Sequence, residues 1–312
     1  MPEYRAVREK LGFLELCKTP AAAAEVTVTA TERLGVDAAI IFADILLVLE
    51  PMGVGLTYGG TDGPTIERPV RSGADIEALR EPSMDALDYV PAAVRAACAS
   101  LPSHIPLIGF AGAPFTLATY LVEGGPSTHF LATKSLMRGD TGAWNALMER
   151  LVRITVAYLN AQIDAGAGAV QLFDSWVGAL SPAEYRRHLL PHMRALIGGI
   201  RPGVPVIHFG TGTAGLLECL RDAGGSVLGL DWRIDLDAAW ARVGHDVAVQ
   251  GNLDPTVLLS SPAEIRRQAG DVLERAAGRP GHVFNIGHGI FPNTPVDHVR
   301  ALVDAVHELS SR

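Results

Sequence analysis

Residues 143–175 read AWNALMERLVRITVAYLNAQIDAGAGAVQLFDS and contain one complete helix–strand unit. Apolar side chains recur every three or four residues over Ala143–Ala165, which predicts an amphipathic helix. Two glycines interrupt that pattern, and a short, continuous apolar run follows at Ala169–Phe173. Such a run, preceded by a crossover helix, is typical of a parallel strand that is buried on both faces. The stretch therefore favours an α/β architecture.

The same unit recurs along the whole chain. Helical stretches such as Ala263–Ala277 separate short apolar runs, and polar or glycine residues follow each run. The predicted strands are Ala38–Phe42, Pro106–Phe110, Ala169–Phe173, Pro205–Phe209, Val227–Leu230, Val247–Gln250 and Val283–Ile286. No linker divides the chain, so we expect a single barrel domain over residues 1–312, with functional residues at the carboxyl ends of the strands.

The number of strands leaves two interpretations open. Seven strands are predicted, nothing before Ala38 resembles one, and a closed (β/α)8 TIM barrel needs eight. Either the sheet is not a closed eightfold barrel, or its first strand is absent from this sequence. The Gly- and Pro-rich residues Gly53–Pro69 predict a long excursion after one strand, forming a hairpin over the barrel mouth.

The composition excludes several classes of protein. A net charge of −8 argues against a general nucleic-acid surface, because phosphate binding needs a basic face. No apolar run reaches the ~18 residues of a membrane span, and no N-terminal secretion signal is visible. Three widely spaced cysteines, Cys17, Cys98 and Cys219, fit a reducing compartment. We therefore expect a cytoplasmic protein with neither a membrane nor a nucleic-acid partner.

A glycine motif raises the possibility of a dinucleotide cofactor. Gly210, Gly212 and Gly215 form G-x-G-x-x-G between a strand and a helix, and Asp231 ends the next strand. The motif lies late in the chain, other strand ends are equally rich in glycine, and no second mononucleotide-binding half is visible. A glycine turn at a helix N-terminus also suits a substrate carboxylate. We expect no bound nucleotide.

Metal-binding motifs are also missing from the sequence. His208 has no cysteine two residues later, and Cys219 falls within a predicted helix. His188 and His192 are four residues apart, but Pro191 intervenes and no acidic partner is obvious. The sequence therefore predicts neither a metal site nor another cofactor.

Four polar residues at or near strand ends are candidate site residues. Asp44 follows an apolar run, where a carboxylate is costly to bury unless it is paired or serves a cation or N–H donors. Its structural alternative is a helix N-cap or a salt bridge. For Tyr120, Ser175 and His288 the alternatives are a packed aromatic, a capping serine and a structural histidine between glycines.

These segments together resemble the uroporphyrinogen decarboxylase family of heme biosynthesis. The matching stretches run in order along essentially the full chain: Pro2–Arg5, Ile40–Leu46, Gly109–Gly125, Gln171–Ser175, Gly229–Trp232, Gln250–Asp254 and Asn285–Pro292. The resemblance implies a (β/α)8 barrel, a cytosolic homodimer and no cofactor. It also implies a carboxy-lyase that removes the four acetate carboxyls of uroporphyrinogen III, a tetrapyrrole, to give coproporphyrinogen III.

The resemblance also assigns roles to individual residues. Asp44 corresponds to the family's central aspartate, which accepts hydrogen bonds from pyrrole N–H groups and stabilises positive charge. Tyr120, Ser175 and His288 fall on the substrate-contacting tyrosine, serine and histidine, and Phe173 lies on the apolar wall near the ring. The catalytic residues implied are Asp44, Tyr120 and His288.

One departure from the family concerns the N-terminus. Just upstream of the Pro2–Arg5 stretch, the family has a strand with an Arg-Gln-Ala-Gly-Arg segment, whose arginines bind substrate carboxylates. This sequence begins after that segment, and the strand would be the first of the eight. We expect that Met1 is an internal methionine taken as the start or that the gene is truncated. We also expect little or no decarboxylase activity from these residues alone.

Two alternative functions stay open at this point. The first is methyl transfer, as in the zinc-dependent corrinoid methyltransferases, which have a related barrel fold. Those enzymes need a His-x-Cys pair and a distant Cys as zinc ligands. This chain has His208-x-Gly210 and a Gly-His-Gly sequence around His288 instead. The second is an inactive pseudoenzyme that only binds porphyrinogens.

Overall fold

The computed structural model describes residues 1–59 and 63–310. Its strands, numbered in chain order, are β1 (Ala39–Ile40), β2 (Leu56–Tyr58), β3 (Pro64–Ile66), β4 (Leu107–Gly112), β5 (Ala169–Asp174), β6 (Val206–Gly210), β7 (Val227–Gly229), β8 (Ala248–Leu253) and β9 (His282–Ile286). All strands predicted from the sequence are present. Their bounds differ by at most three residues, and β1 is the shortest of the seven because the chain leaves the sheet after Ile40.

Helices cover most of the remaining chain. They are α1 (Pro2–Arg8), α2 (Phe13–Cys17), α3 (Pro20–Leu34), α4 (Gly73–Glu77), α5 (Tyr89–Ser100), α6 (Pro114–Glu123), α7 (Leu131–Gly139), α8 (Thr141–Asp164), α9 (Pro182–His188), α10 (Leu190–Gly199), α11 (Leu217–Ala223), α12 (Leu236–Val243), α13 (Pro262–Ala276) and α14 (Val296–Ser310). The predicted long helices correspond to α8 and α13. Residues 1–38 contain α1, α2 and α3, in agreement with the expectation that no strand precedes β1.

Local sequence signals set several helix starts. Ser181 accepts a hydrogen bond from the Glu184 N–H at 3.3 Å, and the Glu184 carboxylate accepts one from the Ser181 N–H at 3.0 Å. This reciprocal pair is a capping box, with Pro182 at the first helical position. Ser261 caps α13 in a similar way by accepting from the Glu264 N–H.

The main sheet is parallel and curls around an interior. Its strand order is β1-β4-β5-β6-β7-β8-β9, and every neighbouring pair is parallel. The Gln250 side-chain amide on β8 donates to the Gln171 side-chain oxygen on β5 at 3.2 Å. In a flat sheet these two strands would lie about 14 Å apart, because neighbouring strands are spaced by about 4.8 Å. The contact therefore requires a curled, TIM-barrel-like sheet.

The curled sheet has two edges within the described residues. β1 pairs with β4 alone and β9 pairs with β8 alone, so these strands form the two sides of an opening in the wall. The α/β barrel class predicted from the sequence is confirmed, with seven strands in the barrel wall. Because all seven run in one direction, their carboxyl ends lie at one rim.

The predicted excursion after β1 contains a hairpin. β2 and β3 pair in the antiparallel sense, with Leu56 opposite Ile66 and Tyr58 opposite Pro64. Residues 60–62 of the excursion lie outside the described residues. The hairpin folds back over the rim, because Tyr58 hydrogen-bonds to a residue that follows β1.

The largest apolar core lies between the outer face of the sheet and the helices. Leu172 on β5, Trp144 on α8 and Tyr185 on α9 are all fully buried there. Burial of each such side chain stabilises the fold by roughly 1.5–3 kcal/mol. In the part of the chain that the structure describes, no helix has both the length and the apolar character needed to span a membrane.

Candidate active site

A cavity of about 440 Å³ lies at the carboxyl ends of β1, β4 and β5. The loop after β1 supplies Phe42, Ala43 and Asp44 to its wall, while Phe173 and Ser175 come from the end of β5. Helix α3 closes another side, where the Thr27 hydroxyl accepts a hydrogen bond from the Phe42 N–H at 2.9 Å. That bond fixes the point at which the chain turns away from the sheet.

Asp44 is the carboxylate in this cavity wall. Its Oδ1 atom accepts two hydrogen bonds, from the Leu46 N–H at 2.8 Å and from the Tyr58 hydroxyl at 2.6 Å. No described residue donates to Oδ2, and none of the described cations forms an ion pair with the group. Burial raises the pKa of Asp44, and the hydrogen bonds from Tyr58 and Leu46 oppose that rise. The charge of the ionised form is therefore not neutralised by the protein.

The titratable groups around Asp44 are neutral acids. Burial, together with the nearby charge of Asp44, raises the pKa of Tyr120 to about 12 and that of Cys17 to about 12. The same two causes raise the pKa of Tyr58 above its ordinary value. Tyr158 on α8 is buried as well, and its pKa is raised first by burial and then by the neighbouring acidic groups of Tyr89 and Asp44. These tyrosines and Cys17 are therefore uncharged at neutral pH, and Asp44 is the carboxyl group among them.

Aromatic rings form the apolar side of the site. Phe173 makes edge-to-face contacts with Phe110 on β4 and Phe209 on β6, at centroid distances of 5.4 and 5.9 Å. These rings are on the inner face of the sheet, as is Gln171, because alternate residues of a strand point to the same side. A flat, largely apolar ligand fits such a wall.

Tyr120 is held at the site by stacking. It lies on α6, which begins at Pro114 immediately after β4, and its ring stacks on Trp176 at 4.1 Å. A buried hydrogen bond at 3.0 Å joins the Thr116 hydroxyl to Asp174, and the same hydroxyl accepts from the Trp176 N–H at 3.3 Å. This network ties α6 to the end of β5, next to Ser175.

His288 lies at a different part of the rim. It follows β9, its side chain is exposed, and its ring packs edge-on against Trp232 at 6.1 Å. A Cβ at Gly287 would approach the Trp232 backbone nitrogen to 2.5 Å, so glycine is required for this close contact. The structure brings Asp44, Phe173 and Ser175 together in the cavity wall. Tyr120 does not line the cavity, but it stacks on Trp176 beside Ser175 and is near enough to Asp44 for that charge to raise its pKa. The structure places His288 beyond the cavity wall.

Sequence reasoning missed Tyr58, Trp176 and Arg233. Tyr58 bonds directly to Asp44 and Trp176 supports Tyr120, while the Arg233 guanidinium stacks over Trp232 at 4.0 Å. The predicted hairpin over the mouth was a usable signal for Tyr58. Trp176 directly follows the quoted family stretch Gln171–Ser175, and Arg233 directly follows the stretch Gly229–Trp232.

The glycine motif after β6 binds part of the chain itself. Gly212 has a positive φ of 68°, and its N–H donates to the Asp231 carboxylate at 2.6 Å. Asp231 is buried and also pairs with the Arg233 guanidinium at 2.5 Å. The acidic residue that a dinucleotide site would direct to a ribose is therefore already occupied by protein donors.

The candidate metal ligands do not converge. His208 is fully buried beside Asp174, with His208 Nε2 and Asp174 Oδ2 3.7 Å apart. His188 and His192 lie on separate helices, α9 and α10, and do not share one face. Among residues 1–59 and 63–310, no three His, Cys, Asp or Glu side chains are grouped as metal ligands would be.

The curled parallel sheet, and the apolar cavity with its carboxylate at the rim, define an α/β barrel enzyme. The model of one protein family, Uroporphyrinogen decarboxylase (URO-D), matches residues 1–309. The chain belongs to this family. It is 54% identical to the uroporphyrinogen decarboxylase of Roseiflexus sp. (strain RS-1), over 100% of this chain and 91% of that protein. It is 56% identical to the uroporphyrinogen decarboxylase of Sorangium cellulosum, over 99% of this chain and 89% of that protein.

Solved structures show the same fold at low identity. A methyltransferase from Methanosarcina mazei superposes with a TM-score of 0.82 at 22% identity, covering 95% of this chain and 88% of that one. A putative vitamin-B12 independent methionine synthase from Listeria monocytogenes superposes with a TM-score of 0.66 at 12% identity, covering 100% of this chain and 95% of that one. At these identities the similarity concerns the barrel fold alone.

Proposed function

We propose that this protein decarboxylates the four acetate side chains of uroporphyrinogen III to give coproporphyrinogen III, without a cofactor. Membership of the uroporphyrinogen decarboxylase family supports this reaction. The observation that carries the proposal is Asp44, a carboxylate in an apolar cavity. Among the described residues, none donates to its Oδ2 atom and no cation pairs with it. Such a group suits a substrate that presents N–H donors and becomes positively charged.

The reaction needs an electron sink next to each acetate. Protonation of a pyrrole α-carbon makes the ring cationic, and the C–C bond to the carboxylate then breaks and releases CO2. The electron pair of the broken C–C bond enters the ring. A second proton converts the remaining methylene to a methyl group, and the ring loses its added proton, so each acetate consumes one proton in total. Asp44 stabilises the cation electrostatically, as a preorganised negative charge that two protein hydrogen bonds hold in place.

Other residues are proposed to position the tetrapyrrole. Phe173 packs against the ring, and the hydroxyls of Tyr120 and Ser175 contact the polar substituents. We propose that His288 reaches the substrate from the far side of the rim, since it is exposed beside Trp232.

Substrate carboxylates also need cations. Arg8 is one candidate, because its guanidinium lies 5.7 Å from the Phe13 ring, which in turn contacts Tyr58 at 4.8 Å. Arg233 at the end of β7 is a second candidate, held by Asp231 and Trp232. Guanidinium groups suit this task because they bind carboxylates in a bidentate way.

We further propose a single-domain, cytoplasmic homodimer, as the family resemblance implies. Cys17, Cys98 and Cys219 are all free thiols, which fits a reducing compartment. Exposed apolar side chains such as Leu131 and Phe291 are available for contacts between subunits.

Anaerobic incubation with uroporphyrinogen III tests the reaction. Released CO2 is counted and the oxidised porphyrins are separated by their number of carboxyl groups. The proposal expects intermediates with seven, six and five carboxyls and a final product with four. Substrate binding without CO2 release would identify the pseudoenzyme instead, and absence of both binding and release would refute the proposal. The same measurements on a chain extended at its N-terminus test the sequence-based expectation about upstream arginines.

A further inference from the structure

The two oxygens of Asp44 have different surroundings. Oδ1 accepts both protein hydrogen bonds, from the Leu46 N–H and the Tyr58 hydroxyl, whereas no described residue donates to Oδ2. We propose that Tyr58 is a positioning residue, which orients the Asp44 carboxylate so that Oδ2 points at the substrate. This inference rests on the proposed function, because it assigns Asp44 to the reacting tetrapyrrole.

The hairpin and two neighbouring rings hold Tyr58 in place. Tyr58 is the last residue of β2 and pairs with Pro64 of β3. Its ring packs on Phe13 at 4.8 Å, and Phe13 contacts Phe42 at 6.0 Å. The Tyr58 hydroxyl is therefore presented to Asp44 by packed aromatic groups and does not depend on a freely moving side chain.

Tyr58 acts as a hydrogen-bond donor at all ordinary pH values. Asp44 is faced by Tyr58 from the hairpin, Cys17 from α2, Tyr120 from α6 and Tyr158 from α8, each a neutral acid whose pKa is raised. Tyr58 is the member of this group that hydrogen-bonds to Asp44. A phenol that stays protonated favours the ionised carboxylate, because it donates to the charged form.

The geometry assigns Tyr58 two effects on catalysis. It keeps the negative charge on Asp44 against the cost of burial, and it prevents rotation of the carboxylate by holding one oxygen. Both effects would act through Asp44 without contact between Tyr58 and the reacting atoms. A loss of Tyr58 should therefore shift the titration of Asp44 as well as lower the rate.

The test compares Y58F with the parent and with Y185F in the full chain. Y58F keeps the ring that packs on Phe13 and removes the hydroxyl alone. Y185F is a matched control, because the buried Tyr185 hydroxyl has no hydrogen-bond partner among the described residues. The first measurement is the titration of Asp44 by carboxyl carbon NMR, with the signal assigned by its loss in D44N. The second is the pH dependence of kcat/KM.

We expect Asp44 in Y58F to titrate about one pH unit higher than in the parent, and Y185F to match the parent. The acid limb of kcat/KM should move upward by the same amount, with about a tenfold loss below the midpoint that shrinks as the pH rises. Equal Asp44 titration in Y58F and the parent would overturn the inference. A uniform loss at every pH, together with an unchanged Asp44 titration, would assign Tyr58 a structural role only. The NMR titration does not need turnover, so an inactive parent would count against the proposed function and not against the Tyr58–Asp44 coupling.

Discussion

Replacement of Asp44 by asparagine isolates the effect of its charge. The asparagine oxygen can still accept from the Leu46 N–H and the Tyr58 hydroxyl, so the loop after β1 keeps its hydrogen bonds. A carboxylate about 4 Å from a developing cation contributes about 4 kcal/mol at an effective dielectric constant of 20. Partial exposure to solvent reduces this to roughly 3 kcal/mol, which corresponds to a loss in kcat/KM on the order of 10²-fold or more.

The assay compares D44N with the parent and with D304N. Asp304 is exposed on α14, far along the chain from the site, and its replacement should leave kcat/KM within about twofold. Initial rates of CO2 release at several substrate concentrations give kcat and KM separately. Near-parental turnover by D44N would refute electrostatic stabilisation by this carboxylate.

The same variant has an expected effect on stability, with a definite sign. Burial raises the pKa of Asp44 in the folded protein, so the unfolded chain loses this proton first as the pH rises. Asp44 therefore destabilises the fold increasingly between its unfolded pKa and its raised folded pKa, and the full cost is present above the latter. At pH 7, D44N should have an equal or higher Tm, by roughly 1–3 °C. A lower Tm would show that the loss of activity reflects damaged structure.

Three further predictions use different features. Y120F should keep the stack on Trp176, leave Tm within about 1 °C, and lower kcat/KM by about tenfold, since only the hydroxyl is lost. Burial alone would raise the pKa of Glu184, but hydrogen bonds from Arg138 and Ser181 lower it to about 2. E184Q should therefore destabilise the fold by about 1 kcal/mol at pH 7, and chemical denaturation should show this difference vanishing as the pH falls from about 4.5 towards 2. Atomic absorption of the purified protein should find far less than one zinc per chain, and stoichiometric zinc with methyl-transfer activity would favour the corrinoid methyltransferase alternative.

Most of the barrel could be predicted from the sequence because each strand is a short apolar run. Ala169–Phe173 illustrates the reason: a strand buried on both faces cannot alternate polar and apolar residues, so its run stands out from the helical patterns around it. Strand bounds were less exact. β1 ends at Ile40, two residues early, because the Phe42 N–H bonds to Thr27 on α3 instead of continuing the sheet.

The candidate site was predicted in part. Ser175 directly follows β5 and Asp44 lies four residues after the end of β1. Parallel strands deliver their carboxyl ends to one rim, so the proximity of these two residues follows from the fold class. Phe173 on β5 and Tyr120 on the helix after β4 follow from the same geometry. The contact of Tyr58 with Asp44 depends on how the hairpin folds back over 14 residues, which no local periodicity encodes. The separation of His288 from the cavity also lies beyond sequence reasoning, because local periodicity does not show that the cavity is lined from β1, β4, β5 and α3 while His288 follows β9.

A crystal structure of the protein with coproporphyrinogen III, grown anaerobically, tests the central claim most directly. We expect the tetrapyrrole in the cavity at the ends of β1, β4 and β5, with pyrrole nitrogens about 3 Å from Oδ2 of Asp44 and Phe173 against the ring. Tyr58 should stay bonded to Oδ1. A tetrapyrrole bound elsewhere on the barrel, or one whose nitrogens make no contact with Asp44, would contradict the account.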